Sequence, residues 1–549
     1  MKILLLVWGL IAGSISCINC QEIRMSFTSS NVHGHDLSSE SGFINTRIQQ
    51  SWLNETVSTE ILIQGKPKIT GLKLICSDLK SIKSRISHKF ILVRVLKQVI
   101  SENSIGKCGN DNKTYDPVLV ADMLEEADTL NTETNSGTFY LSIKIPATIN
   151  PGRYLTMIQL QVKNKILPQK LSWFIDVLPR KLPDKGSSDF YLNLWQNPYA
   201  VSGYYNIIPW SPAHFKLLSP VMKLLADAGQ KCITTSFFWN TFNVQSEGLK
   251  NAMIITRRLA SGQWDYDYTH FDAWVQFMIN LGIRDKIIVF GLDPWYPNYW
   301  YWDETKEHEI KMNDPPGTSA YKQFWTPMLT AFSSHMKAKG WFSRIAIGID
   351  ERPAETIKED LAFIRSIDPG FQIQLSGLFN QEIEENVDDY AVNSNQVIPK
   401  NILLKRNQLH KTSSYYTACW EASPNTLLYN EPGDAWFLPV HALAVGLNGY
   451  SRYAFNNWSK NNLTDARNSE LPPGDGYFVY PGPRSSIRFE KLKEGIVFTM
   501  KWKILMSEAK TQQNIKMKES LDRLLARFKV FKSQDDQVIS TSVSEINKW

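Results

Sequence analysis

The chain has 549 residues, of which 43% are hydrophobic, 21% charged and 12% aromatic, which excludes a disordered, collagen-like or low-complexity protein. That length leaves room for two or three packed domains. Lys and Arg number 60 against 54 Asp and Glu, a net charge of +6 with no long basic run, so no nucleic-acid partner is expected. Tryptophan is the outlier, with 18 Trp beside 21 Tyr and 26 Phe. Indole faces stack on the apolar faces of sugars, or fill a large core.

The chain opens like a secretory leader over residues 1–20. Lys2 precedes the apolar run Ile3 to Ala12, and the small, polar stretch Gly13 to Ser16 follows. Cleavage is expected near Cys17 or after Cys20. Ser14-Ile15-Ser16-Cys17 is a poor version of a lipidation site, so a lipid anchor at the surface is the alternative to secreted or periplasmic export. No other stretch reaches the ~18 uncharged apolar residues of a membrane span. Export permits disulfides. Cys76 and Cys108 share the N-terminal region and either pair or stay as buried thiols. Beyond the leader no CxxC pair or His-rich spacing marks a metal site, HExxH is absent, and no cofactor is expected.

Residues 21–185 read as short β segments, among them Thr59–Gln64, Lys89–Val95, Thr138–Ile145 and Leu171–Leu178. Alternation through Phe139-Tyr140-Leu141-Ser142-Ile143 buries one face, and the turn chemistry of Asn150-Pro151-Gly152 separates two strands. A β-sandwich is predicted. The Pro- and charge-rich stretch Pro179 to Lys185 reads as a link.

Residues 186–485 alternate strands with helices. The predicted strands are Phe190–Trp195, Cys232–Phe237, Lys286–Leu292, Arg344–Asp350, Phe371–Leu375, Asp389–Asn393, Ser414–Trp420 and Gly449–Phe455. Helices are predicted at Ser211–Ala228, Tyr268–Leu281, Ser319–Lys339 and Pro353–Ile367. Eight such units match an α/β fold of the (β/α)8 type. The competing doubly wound sheet calls for a Gly-rich turn after the first strand, and Trp195-Gln196-Asn197-Pro198 is not one. Residues 486–549 read as a helical, peripheral C-terminal segment with a Ser-rich end.

Functional groups of such a barrel gather where its strands end. That rule selects Asp350-Glu351 after the fourth strand, Trp420-Glu421 after the seventh, Asp293-Pro294-Trp295 after the third and Trp239-Asn240 after the second. Trp458 and Tyr480, after the eighth, complete the candidate sugar contacts, and Trp295 heads an aromatic run to Trp302. Adjacent carboxylates at a strand end point in different directions and address different atoms of one substrate. Glu351, packed among rings beside Asp350, is expected to be held protonated as a general acid. The alternative role for either residue is capping the helix that opens at Pro353.

At this point a resemblance emerges. Leu194 to Ala200, Leu224 to Lys231, Lys339-Gly340-Trp341-Phe342, Asp350-Glu351-Arg352-Pro353 and Val479 to Pro483 followed by Ser486-Ile487-Arg488 resemble glycoside hydrolase family 123, the β-N-acetylgalactosaminidases, and its related uncharacterised domain group. The resemblance spans roughly residues 190–495 and extends in position to the N-terminal region. It implies a retaining, substrate-assisted mechanism. The sugar's own acetamido carbonyl attacks the anomeric carbon, Glu351 serves as acid and base, and Asp350 holds the acetamido N–H. The implied partner is an oligosaccharide or glycoconjugate ending in N-acetylhexosamine. Two departures stand out. Val497-Phe498-Thr499-Met500 replaces an acidic and aromatic run, and Asn456-Asn457-Trp458 stands where relatives often carry Asp before the Trp. Two other readings compete: a glycosidase with Glu421 as covalent nucleophile, and a carbohydrate-binding or surface protein on the same fold. The Trp excess is compatible with a homodimer.

Overall fold

The computed structural model describes residues 23–33, 43–65, 69–104, 106–109, 113–184, 186, 188–238, 252–294, 299–467 and 470–549. Two sheets build the N-terminal part. The first runs in the order Arg24–Thr28, Thr56–Gln64, Ser136–Lys144, Ile91–Glu102, Pro117–Glu126, and takes Ser485–Ser486 from far downstream at its edge. The second runs Thr46–Leu53, Leu171–Lys181, Gly152–Val162, Ile69–Cys76, Thr129–Thr132. Period-two alternation turns Phe139, Leu141 and Ile143 of one sheet toward Tyr154, Trp173 and Ile175 of the other, and these fill one apolar core. Each predicted strand of this region overlaps one of these strands, although Lys89 and Phe90 belong to a 3-10 turn that precedes Ile91–Glu102. The stretch predicted as a link behaves differently: the last long strand continues through Pro179 to Lys181. Its register against Thr46–Leu53 shifts between Val177 and Lys181, an irregularity where proline costs no ladder bond.

The second part is a nearly closed barrel of eight parallel strands. They are β1 (Tyr191–Leu194), β2 (Cys232–Ser236), β3 (Lys286–Phe290), β4 (Ile345–Asp350), β5 (Gln372–Gly377), β6 (Asp389–Asn393), β7 (Thr412–Tyr416) and β8 (Gly449–Arg452). All eight predicted strands are present, with helices between them such as Pro212–Asp227, Thr269–Asn280, Ser319–Ala338 and Ala354–Ile367. Ser211 caps the first of these by accepting from His214 N, with Pro212 at the first helical position. The seam between β1 and β2 is held by one bridge, Leu192 to Gln230, and by side chains. Gln230 Oε1 accepts from Leu194 N at 3.0 Å, and Gln196 Oε1 from Thr234 N at 2.9 Å. Gly449 lets β8 approach β1, because a Cβ there would sit 1.8 Å from the Tyr191 carbonyl oxygen.

Residues after β2 and β3 add a four-stranded sheet, ordered Trp264–Asp267, Ile255–Arg258, Tyr299–Asp303, His308–Met312. Half of the aromatic run thus becomes a strand. Tyr301 packs edge-on against Trp264 with ring centres 4.9 Å apart, and both rings meet Phe324.

The C-terminal helices are Ile487–Thr511, Ile515–Ala526 and Asp536–Ile546, so the Ser-rich end is helical. The first is not peripheral. It packs along Pro432–Ala444 and faces the sandwich with buried charges. Arg488 meets Asp122 twice at 3.0 Å, Arg94 meets Glu490 at 3.0 Å, and Lys501 meets Glu55 at 2.7 Å. Among the described residues no helix is long and apolar enough to cross a membrane.

Among the described residues one covalent link joins the two parts. Cys108 is bonded to Cys419, with Cα atoms 5.4 Å apart, so the pairing of Cys76 with Cys108 is not realised. Cys76 is half-buried and Cys232 buried, both as thiols. Cys108 lies in the loop after Ile91–Glu102, at the barrel-facing end of its sheet, and Cys76 lies in the other sheet.

Candidate active site

Strand β4 presents Ala346, Gly348 and Asp350 on one face, and Ala346 packs inside the barrel with Tyr191, Trp195, Ile288 and Phe290. Gly348 is required by this packing: a Cβ would come within 2.6 Å of the Phe290 ring. Asp350 ends the strand, half-buried and paired in register with Ser376 of β5. At Glu351 the ladder makes one more bond, from its N–H to Ser376 O at 2.8 Å, and the chain then turns at a left-handed φ of 42°. A non-glycine residue seldom adopts that conformation, and such residues concentrate at functional sites.

The turn leaves the Glu351 side chain exposed at the rim rather than packed among rings as expected from sequence. Its Oε1 accepts a hydrogen bond from the Tyr416 hydroxyl at 2.5 Å. Tyr416 ends β7, and its hydroxyl is pushed well above the ordinary tyrosine range by burial first and then by the charges of Glu351 and Asp350. It therefore remains a donor. Trp195, Phe290 and Tyr453 line the mouth: Trp195 lies 4.3 Å from Phe290 and edge-on to Tyr453 at 6.0 Å, and Asn457 donates to the Tyr453 hydroxyl at 2.6 Å.

The remaining sequence candidates separate. Trp420 is 42% exposed on the loop after β7, beside the Cys108–Cys419 link. Glu421 is buried beneath that loop. Its Oε2 accepts from Ala418 N at 2.6 Å and its Oε1 from the Ser394 hydroxyl. Burial raises its carboxyl above the usual range, against these bonds and the charge of Arg452. With both oxygens accepting hydrogen bonds, Glu421 organises its own loop. Trp458 and Tyr480 follow β8 in sequence and are both buried. Trp458 is buried with its Nε1 donating to Val479 O at 2.7 Å, and Tyr480 is buried with its hydroxyl donating to Asp122 at 2.6 Å. Their loop turns inward to the sandwich joint. Trp239, Asn240 and Trp295 lie outside the described residues.

Tyr416 at the site escaped the sequence analysis. Tyr416 is the last inward position of β7, two after Ser414, and period two alone would have found it. Asn457 was noted as a departure, yet its place is internal: it also accepts from Asn197 Nδ2 at 2.9 Å. Other carboxylates of the strand-end loops are committed, Asp293 to Arg352 at 2.9 Å and Asp475 to Arg452 at 2.5 Å. Among the described residues no group of three His, Cys, Asp or Glu is placed to hold a metal ion.

An acid with a hydroxyl partner at the rim, an inward carboxylate beside it and rings around the mouth suit hydrolysis of a sugar bond. Comparison with known proteins agrees. The model of the glycoside hydrolase 123 catalytic domain matches residues 195–505, and that of the glycoside hydrolase 123 N-terminal domain matches residues 35–162. A family 123 glycoside hydrolase from Clostridium perfringens, studied for glycolipid glycan hydrolysis, shares the fold with a TM-score of 0.84 at 24% identity, over 96% of this chain and 97% of that one. An endo-β-1,4-mannanase from Thermotoga petrophila gives 0.32 at 13% identity over 58% and 78%, and a β-glucuronidase from Parabacteroides merdae 0.28 at 10% over 83% and 51%, too low to bear on the site. No curated protein matches. The chain belongs to glycoside hydrolase family 123 and is a glycosidase.

Proposed function

We propose that the protein releases terminal β-linked N-acetylgalactosamine with retention, using the sugar's acetamido oxygen as nucleophile. Glu351 protonates the leaving oxygen and then draws a proton from the incoming water, and Asp350 accepts the acetamido N–H and faces the developing positive charge. The observation that carries this reading is the pairing of inward Asp350 with exposed Glu351 at one strand end, with Tyr416 orienting the acid. The commitment of Asp293, Glu421 and Asp475 to other partners supports an internal nucleophile, which removes the need for a second protein carboxylate. Positioning of this kind supplies up to ~7–11 kcal/mol of barrier lowering. Trp420, exposed on the loop after β7, is the ring offered to the sugar or its aglycone. The Clostridium protein's link to glycolipid glycans makes glycoconjugates the first substrates to try.

Paired 4-nitrophenyl β-N-acetylgalactosaminide and β-N-acetylglucosaminide test the substrate, and inhibition by the galacto-thiazoline tests the mechanism. Preferred cleavage of the galactosaminide with tight thiazoline inhibition is expected. A wild type inert toward both would leave a carbohydrate-binding protein. The Cys108–Cys419 bond supports export to an oxidising compartment, where such bonds persist.

A further inference from the structure

The helix Ala354–Ile367 follows the acid turn and buries Ile357, Leu361 and Ile364 along one stripe. Asp360 sits in that stripe, 1% exposed, where an apolar residue would be expected. It faces Asp293 and Arg352. Arg352 comes directly after Glu351 and reaches back to the loop after β3, its Nε 2.9 Å from Asp293 Oδ2 and its Nη2 donating to Asp293 O at 2.8 Å. Two buried carboxyls thus confront one guanidinium. Asp360 Oδ2 has no hydrogen-bond partner among the described residues. A proton on Asp360, donated to Asp293, resolves both the excess charge and the idle oxygen.

We propose that Asp360 is a positioning residue: as a neutral acid it fixes Asp293 and Arg352, and through Arg352 it fixes the left-handed turn that presents Glu351. The inference rests on the assignment of Glu351 as the acid. Burial first, then the charge of Asp293 and of the neighbouring Glu359, pushes Asp360 up to about 8 against the pull of Arg352. The folded protein therefore holds a proton that the unfolded chain releases above pH ~4. Stability from this proton is complete below pH ~4 and is lost as pH rises toward 8.

Two variants test the cluster, Asp360→Asn, which keeps a donor, and Asp360→Leu, which fills the stripe without one. On 4-methoxyphenyl β-N-acetylgalactosaminide, whose leaving group needs protonation, Asp360→Leu loses on the order of tenfold or more in kcat/KM. On the 2,4-dinitrophenyl glycoside, which needs little protonation, it stays within about threefold, and Asp360→Asn stays within about threefold on both. Equal losses on the two leaving groups overturn the positioning role. Thermal midpoints of wild type and Asp360→Asn are followed from pH 4.5 to 8.5, and the advantage of Asp360→Asn is expected to widen with pH. A constant gap overturns the proton. A wild type that cleaves neither glycoside refutes the reading of Glu351, whereas the melting gap still decides the state of Asp360. If Asp360→Leu does not fold, the same gap and the activity of Asp360→Asn decide it.

Discussion

The rim at Asp350–Glu351 and the joint at Asp122–Arg488 each set carboxylates beside tyrosines, yet their bonding differs. At the joint, Arg488 grips both oxygens of Asp122, Tyr480 donates to the same carboxylate, and all three side chains are buried. Every group there is matched, which is how buried charge is tolerated. At the rim, Glu351 is exposed and, among the described residues, accepts one side-chain hydrogen bond, from Tyr416 at 2.5 Å. Under the proposed chemistry, saturation goes with a structural charge, and the exposed acid with an orienting donor is the reacting one. Under that reading Glu421, with both oxygens engaged, belongs on the structural side.

Substitutions sharpen this contrast. Glu351→Gln is expected to lower kcat on a 4-nitrophenyl substrate by about 10²–10⁴-fold while leaving the thermal midpoint near that of wild type. Asp122→Leu at the joint should do the opposite. It leaves Arg488 buried without its partner, costing about 3–5 kcal/mol in denaturant unfolding, with kcat per folded molecule little changed. Tyr416→Phe removes a hydrogen bond to a charged group, and a loss of about 1.5–3 kcal/mol in transition-state stabilisation, read as kcat/KM, is expected. Glu421→Gln should keep kcat within a few-fold, and added azide should yield no glycosyl azide. A kcat loss as deep as that of Glu351→Gln, with azide rescue, would move Glu421 to the reacting side and break the rule.

The barrel was legible because each strand is a short apolar run flanked by turn residues, as in Ile345-Ala346-Ile347-Gly348-Ile349, and because Ser211-Pro212 announces its helix. The helix Ile487–Thr511 was misjudged as peripheral since it touches barrel and sandwich at once. Arg488, Glu490 and Lys501 interrupt any single apolar face, and their partners in the sandwich lie more than 350 residues away in sequence. The disulfide was illegible for the same reason, with a separation of 311 residues. The acid pair was visible because a strand end needs no distant information. What decided the fate of Trp458 and Tyr480 was the path of the loop after β8, which folds back on the sandwich and carries both rings inward. Composition counts aromatics, but it does not say which way a loop turns.

In the proposed reaction the substrate's amide oxygen attacks. This step is tested most directly by kcat for 4-nitrophenyl β-galactosaminides carrying N-acetyl, N-fluoroacetyl, N-difluoroacetyl and N-trifluoroacetyl groups. Each fluorine withdraws electrons from the carbonyl oxygen and weakens it as a nucleophile. The account predicts that kcat falls steeply along the series. Equal rates for the acetyl and trifluoroacetyl substrates would contradict it.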